Sequence, residues 1–290
     1  MINNNTQNLY LTKLHDELLV IMDEIDRVCK ENNINYYLVG GSLLGAVRHK
    51  GFIPWDDDLD IAMPRQDWLR FIEIAPNSLN SNFSLDWITT NPKYWQFFAK
   101  VSEKNTLFEE NSNMKTFQTG IFVDIFPLDL SPAYNKSLNR IRSFVKVLKS
   151  AISFKYCKVN TITELCIKMI SIIATPLMLQ NIILRTLMNV QKKGCTHYAN
   201  FGSQYKLEKQ TMPVEWYGDG TTLAFENRIY RVPVKYEQVL NSIYGKNFME
   251  IPPLEKRRCH YPEKVVFRDG STFYFGKSTH LVSIKEQEGL

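Results

Sequence analysis

The sequence predicts an α/β fold, and three stretches carry that prediction. Leu9 to Lys30 repeats apolar residues at three- and four-residue spacing (Leu11, Leu14, Leu18, Ile21, Met22, Ile25), the pattern of a helix with one buried face. Asp58-Leu59-Asp60-Ile61-Ala62-Met63 alternates acidic with apolar and then turns wholly apolar, as a strand entering a core does. Ile121-Phe122-Val123-Asp124-Ile125-Phe126-Pro127 sets one aspartate in a run of strong strand formers, which reads as a central strand. At 290 residues, with 44% hydrophobic and 22% charged residues, the chain is long enough for one or two domains with a sizeable core.

The elements follow in order. The first helix covers one face of a sheet. Tyr36 to Val39 is a strand, and Ser42 to His49 a short helix with Ser42 at its N-cap. After the Asp58–Met63 strand, Pro64 opens a helix that runs to about Ile74 and is ended by Pro76. Residues 83–90 and 94–109 read as β segments. Leu138 to Lys193 turns helical, and its longest uncharged part, Met169 to Leu184, has sixteen residues. That is short of the roughly twenty a spanning helix needs, so no transmembrane span is expected. Phe225 to Pro233 reads as a strand, followed by a break and a helix from Tyr236. Asp269-Gly270 between Val265–Phe267 and Thr272–Phe275 signals a hairpin.

The chemistry concentrates between Val39 and Met63. Strand side chains alternate faces, so Asp58 and Asp60 share one face and Leu59 and Ile61 the other. Two carboxylates that close repel unless a cation neutralises them, and Mg²⁺ takes such oxygen ligands together with substrate phosphates. Gly40-Gly41-Ser42 stands at a strand-to-helix junction, where backbone N–H groups can receive phosphate. The parity of the 121–127 strand isolates Asp124 with Phe122 and Phe126. A buried carboxylate needs a metal, a cation or several donors.

The run GGSLLGAVRHKGFIPWDDDLDIAMPR resembles the LicD family of phosphocholine transferases, to which fukutin-related protein also belongs, on the polymerase-β-like nucleotidyltransferase fold. IFVDIFPLD, the Lys100…Thr106 stretch and a tail of the form VP-x-x-YE…YG…PP…R…H are similar to the same family. The likeness is dense over residues 36–70, good at 97–130 and recognisable at 225–260. It implies a small mixed β-sheet core with packed helices (1–130), a basic helical insertion (131–200), and a C-terminal part ending in a β-hairpin (201–290). It also implies that Asp58, Asp60 and Asp124 hold Mg²⁺, or Mn²⁺, with Asp56 as a further ligand or supporting partner, and that Asp124 is the general base. Gly41, Ser42, Arg48 and Lys100 would bind donor phosphates, and His260 would contact phosphate or pass a proton. Lys100 reads equally as a solvated strand-edge lysine, and a lone histidine such as His260 is more often structural. Asp129 is expected beyond the end of the 121–127 strand and is given no catalytic role, and Trp55, Tyr94 and Trp95 read as core packing before they read as a cage for a cationic alcohol. If Asp124 shares the metal, neutralising it should preserve or raise stability by relieving repulsion.

The implied reaction is transfer of a phospho-alcohol from a CDP-activated donor, such as CDP-choline, to a hydroxyl of a glycan or lipid-linked saccharide, with no nucleic acid involved. Transfer of a nucleoside monophosphate from an NTP, or a non-catalytic membrane-bound adaptor, stands as the alternative. Charge adds a partner. The formal net charge is +5, yet Ser131 to Lys193 holds eleven Lys and Arg against Glu164 alone. Basic, apolar helices of this kind fit either an interfacial element on anionic lipid or a helical subdomain with a solvated basic face. The N-terminus shows no basic region before an apolar run, and five cysteines without CxxC spacing point to a reducing compartment. The expected location is therefore the cytoplasm, peripheral on the inner face of the membrane. Cys195, His197, Cys259 and His260 lack the spacing of a zinc site.

Overall fold

A computed structural model describes residues 4–110, 119–156, 159, 161–191, 194–257, 259, 262–275 and 281–285. The fold is mixed α/β. Helix α1 (Asn4–Glu31) buries Leu14, Leu18, Ile21, Met22 and Ile25, the apolar stripe read from the sequence. Then come β1 (Tyr37–Leu38), α2 (Gly40–Arg48), β2 (Asp60–Pro64), α3 (Arg65–Ser78), β3 (Phe83–Asp86), β4 (Ala99–Glu103), β5 (Leu107–Glu109) and β6 (Phe122–Ser131). The insertion forms α4 (Lys136–Phe154), α5 (Ile162–Ile173) and α6 (Pro176–Met188). The remainder is β7 (His197–Ala199), β8 (Thr211–Pro213), α7 (Val214–Tyr217), β9 (Thr221–Phe225), β10 (Arg228–Val232), α8 (Tyr236–Tyr244), β11 (Lys264–Val266), β12 (Thr272–Phe275) and β13 (Leu281–Lys285).

Strand β6 is the axis of the main sheet, ordered β1-β2-β6-β4-β3. Its first half lies between β2, parallel, and β4, antiparallel, while its last three residues pair antiparallel with β7. Phe122, Asp124 and Phe126 are part-exposed on one face, and Val123 and Ile125 are buried on the other. The parity expected for Asp124 therefore holds. A second sheet, β13-β12-β11-β5, contains the expected Asp-Gly hairpin, closed by the bond from Phe267 N–H to the Ser271 carbonyl at 2.9 Å. Gly270 takes φ +82° there, a left-handed conformation that glycine adopts without a Cβ penalty. Its aromatic residues Phe267, Phe273 and Phe275 gather round Tyr10 of α1, at ring-centroid distances of 6.2, 5.6 and 4.8 Å. The hairpin thus caps the N-terminal helix.

Five local expectations are corrected. Strand β2 begins at Asp60, so Asp58 lies in the loop before it. Helix α2 begins at Gly40 after an uncapped Val39, and the Ser42 hydroxyl accepts the Asp60 N–H (2.8 Å) instead of capping the helix. Pro76 sits inside the last turn of α3, where it removes one N–H while the Leu79 N–H to Ala75 bond (3.0 Å) still closes the turn. Phe225 to Val232 is not one strand: β9 and β10 fold back on each other as an antiparallel pair. Asp129 lies within β6, fully buried.

Asp129 explains itself through Arg65. The guanidinium donates from Nε and Nη2 to the two carboxylate oxygens at 2.8 and 2.9 Å, with both side chains essentially inaccessible. The same guanidinium lies 4.8 Å from the Trp68 ring centroid. This bidentate pair bolts the start of α3 to the far end of β6. Arg65→Met should lower the unfolding free energy by about 3–5 kcal/mol, because it strands a buried carboxylate. Urea denaturation measures this, and the Arg65→Met/Asp129→Leu double variant should recover most of the loss.

Candidate active site

Sheet register builds the site. Asp60 on β2 pairs with Asp124 on β6, and Asp124 pairs with Lys100 on β4. Neighbouring strands lie about 4.8 Å apart and paired residues share a face, so two carboxylates and an ammonium stand abreast on one rung. Lys100 Nζ lies 2.9 Å from Asp124 Oδ1 and 3.3 Å from Glu110, over the Phe122 ring at 3.2 Å from its centroid. Burial works against that ammonium, but Asp124 and Glu110 outweigh it and its pKa is raised. Asp60 goes the opposite way for a carboxyl. Burial, then Asp58, Asp124 and Asp56, push its pKa well above the ordinary value against the pull of Lys100.

Helix α2 brings its N-terminus to the same place. Gly40 takes φ +57°, and a Cβ there would lie 3.5 Å from Asp60 Oδ2. A Cβ on Gly41 would lie 2.5 Å from Asp56 Oδ2, so only glycine lets the Asp56 carboxylate rest against this first turn. Backbone N–H groups of a helix start favour such anions. Gly40 and Gly41 thus face carboxylates, and Ser42 fixes the first residue of β2 by accepting that residue's backbone N–H. The Arg48 guanidinium donates from Nη1 to the carbonyls of Phe248 and Glu250, both at 3.0 Å, which ties the 248–250 loop to the C-terminal end of α2. His260 lies outside the described residues.

Several residues of the site were not singled out in the sequence. His15 stacks on Phe52 at 3.9 Å and donates from Nε2 to the Asp56 carbonyl (2.8 Å). Burial lowers its pKa, which favours a neutral ring holding the aspartate loop. Glu226 accepts the Phe52 N–H (3.0 Å) and anchors the same loop from the β9–β10 turn. Tyr205 and Tyr244 approach from the C-terminal part, and Asp56 and Asp60 add to the burial that raises both phenols. Lys149 of α4 stands over Trp95 and Phe97, 4.6 and 5.3 Å from their ring centroids. Burial, then Lys146 and Lys100, push its pKa down to about 8, against Asp124 and Glu110. No local pattern marks these residues, since each acts through partners distant in sequence. Tyr94 is a core residue, fully buried with its hydroxyl on the Phe98 carbonyl, and Trp55 faces Arg257 at 4.3 Å.

The donor set suits a hard divalent cation: every ligand atom is oxygen, and the carboxylates raise the Asp60 pKa even with Lys100 beside them. Among the described residues no three His, Cys, Asp or Glu side chains already surround a common point. Shared ligation therefore requires these carboxylates to rotate inward. The site as a whole has an acidic pole at Asp56, Asp58, Asp60 and Asp124 and a basic pole at Lys100 and Lys149, an arrangement matched to a cation and the anion it accompanies.

Residues 33–166 match the family described as LicD/FKTN/FKRP, nucleotidyltransferase domain. The chain is 27% identical over 251 residues to the lipopolysaccharide cholinephosphotransferase LicD of Haemophilus influenzae, which covers 84% of this chain and 92% of that protein. It is 48% identical over 40 residues to the ribitol 5-phosphate transferase FKRP of mouse and of human, 14% of this chain and 8% of each relative.

Three outcomes follow from the charges. Asp60→Asn should raise the melting temperature by removing repulsion. Asp124→Asn should lower it, because among the described residues Lys100 then keeps the exposed Glu110 as its acidic partner; this revises the expectation that neutralising Asp124 stabilises. For Lys149 the sign is set by a pKa that folding lowers from 10.5 to about 8. The charged lysine costs stability below pH 8, and the cost fades as pH rises towards 10.5. Lys149→Met should therefore be more stable than the parent at pH 7 and no more stable at pH 10.5, measured by thermal melts.

Proposed function

We propose, from the match of residues 33–166 to the LicD family of nucleotidyltransferase domains, that this transferase moves a phospho-alcohol, phosphocholine foremost, from a CDP-activated donor to a hydroxyl of a cell-surface glycan precursor. The observation that carries the reading is the rung Asp60–Asp124–Lys100 beside the start of α2. It sets oxygen ligands and a buried cation side by side, which pyrophosphate chemistry requires. One relative is named for choline phosphate and another for ribitol 5-phosphate, so a phosphorylated alcohol is the shared class of transferred group.

The acceptor hydroxyl oxygen attacks the β-phosphorus, which carries the alcohol. The bond from that phosphorus to the bridging oxygen breaks, CMP leaves with the electron pair, and a phosphodiester forms. Asp124 takes the hydroxyl proton, and Lys100, 2.9 Å away, balances the carboxylate before and the phosphate charge after transfer. Lys149, on the same basic pole, offers a second cation to the donor phosphates. Asp58, Asp60 and Asp124, with Asp56 in support, would hold Mg²⁺ or Mn²⁺, whose chemistry is to neutralise charge developing on the pyrophosphate.

Mass spectrometry of products after incubation with CDP-choline, CDP-ribitol and CDP-glycerol, each with a saccharide acceptor, tests the reading. The expected product is the acceptor plus one phospho-alcohol, with CMP released. Asp58→Asn and Asp60→Asn should each cut turnover by more than about a hundredfold, the upper end for an outer-shell metal partner. An acceptor that gains a nucleoside monophosphate from an NTP overturns the proposal in favour of nucleotidyl transfer. Full activity in either Asn variant removes the aspartates from the chemistry.

A further inference from the structure

Helix α5 is apolar on two faces: Ile167 and Ile170, half-buried, pack against the core of α4 and α6, and the opposite face is left open. Its apolar residues recur at helical spacing, yet its one buried residue is Ser171. Ile162, Leu165, Met169 and Ile172 stand at i, i+3, i+7 and i+10, one stripe, and that stripe faces outward. Ile172 is 70% exposed and Ile173 86%. Helix α6 continues the pattern with Leu177, Met178 and Ile182 exposed. No helix among the described residues is long and apolar enough to cross a membrane, and α5 and α6 meet at 99°. The bend gathers Ile172, Ile173, Leu177 and Met178 at its apex. Beneath them, α4 and α6 close a core of their own around Val145, Ile152, Leu179 and Ile183, so this surface is not left over from an unfinished core.

Charge says what covers it. On α4, Arg140, Phe144 and Val147 share one face; on α6, Met178, Ile182 and Arg185 do. All six are exposed, as are Lys136, Lys146 and Lys155. Each apolar stripe therefore ends in a cation. A second copy of the chain is a poor occupant, because a two-fold contact would press this positive face against itself. An anionic bilayer answers both features, taking the stripes into its acyl boundary and the cations at its headgroups. Two cations of the segment turn inward and contribute nothing: Arg142 bonds the Ser203 and Tyr205 carbonyls, and Lys149 lies over Trp95.

We propose that the bent α5–α6 pair, with the outer face of α4, docks the enzyme on an anionic phospholipid surface, the apex at Ile172–Met178 entering the acyl boundary. The proposal goes beyond the transfer chemistry, to which it would add access to an acceptor carried on lipid. Its test needs no turnover, so the two fail separately.

The full chain is sedimented with vesicles of phosphatidylcholine alone and of phosphatidylcholine with phosphatidylglycerol. It should bind the anionic vesicles at low salt, weaken as salt rises, and leave the neutral ones largely unbound. Ile172→Glu/Ile173→Glu should abolish binding with an unchanged melting temperature, since neither side chain is in the core. Arg140→Gln/Lys146→Gln/Arg185→Gln should weaken binding to anionic vesicles by about tenfold or more. Failure of the parent to bind anionic vesicles at low salt overturns the proposal, as does full binding by the Ile172→Glu/Ile173→Glu variant. A parent dimer that this variant converts to monomer overturns it as well, and makes the surface a contact between copies.

Discussion

Negative charge held out of water is the constraint on which the molecule depends. Asp60 has Asp56, Asp58 and Asp124 for neighbours, and its carboxyl is driven towards the protonated form by burial and by all three. Each surrounding element answers that charge. The start of α2 presents N–H groups, and its two glycines leave room for the Asp56 and Asp60 oxygens. Ser42 takes the Asp60 N–H and so fixes where the strand begins. His15 and Glu226 hold the aspartate loop from outside. Lys100 supplies one positive charge against four carboxylates, and the deficit shows in the raised pKa of Asp60.

Strand β6 shows how the same residue type is used in two ways. Asp129 meets Arg65 in a bidentate pair that satisfies both carboxylate oxygens in a dry interior. That carboxylate is closed to chemistry and serves architecture. Asp124, five residues earlier, meets a lysine, a compact charge that several groups can share, and it remains 16% exposed. One end of the strand is locked and the other keeps its electrostatics open to a ligand.

The insertion follows a different rule from the rest of the chain. Helices α4 and α6 bury apolar residues in a small separate core, whereas α5 turns its apolar stripe outward. Its inner face nevertheless reaches the site, because Lys149 projects from α4 towards Trp95, Lys100 and Asp124. The insertion thus contributes Lys149 to the basic pole and forms the exposed apolar apex at once.

The sequence alone determined the features that arise from local periodicity and local sterics. The apolar spacing of Leu14, Leu18 and Ile25 made α1 legible, and the period-2 alternation round Asp124 gave its face and its central place. Asp-Gly at 269–270 signalled the hairpin, and Asp58-Leu59-Asp60 with Gly40-Gly41 marked the carboxylate cluster and the strand-to-helix junction beside it. Tertiary structure decided the partners. Nothing near Asp129 in sequence announces Arg65, and nothing near Lys149 announces Trp95 and Asp124, since those encounters depend on which strands pair and how the insertion folds back. Ser42 looked like a cap because a serine at a helix start usually is one; the pairing of β1 with β2 put the Asp60 N–H within its reach instead. Periodicity likewise identified an apolar stripe on α5 but not its direction. That direction is a matter of what else is available to bury it: Ile167 and Ile170 take the face against the core of α4 and α6, which leaves the stripe from Ile162 to Ile172 outside.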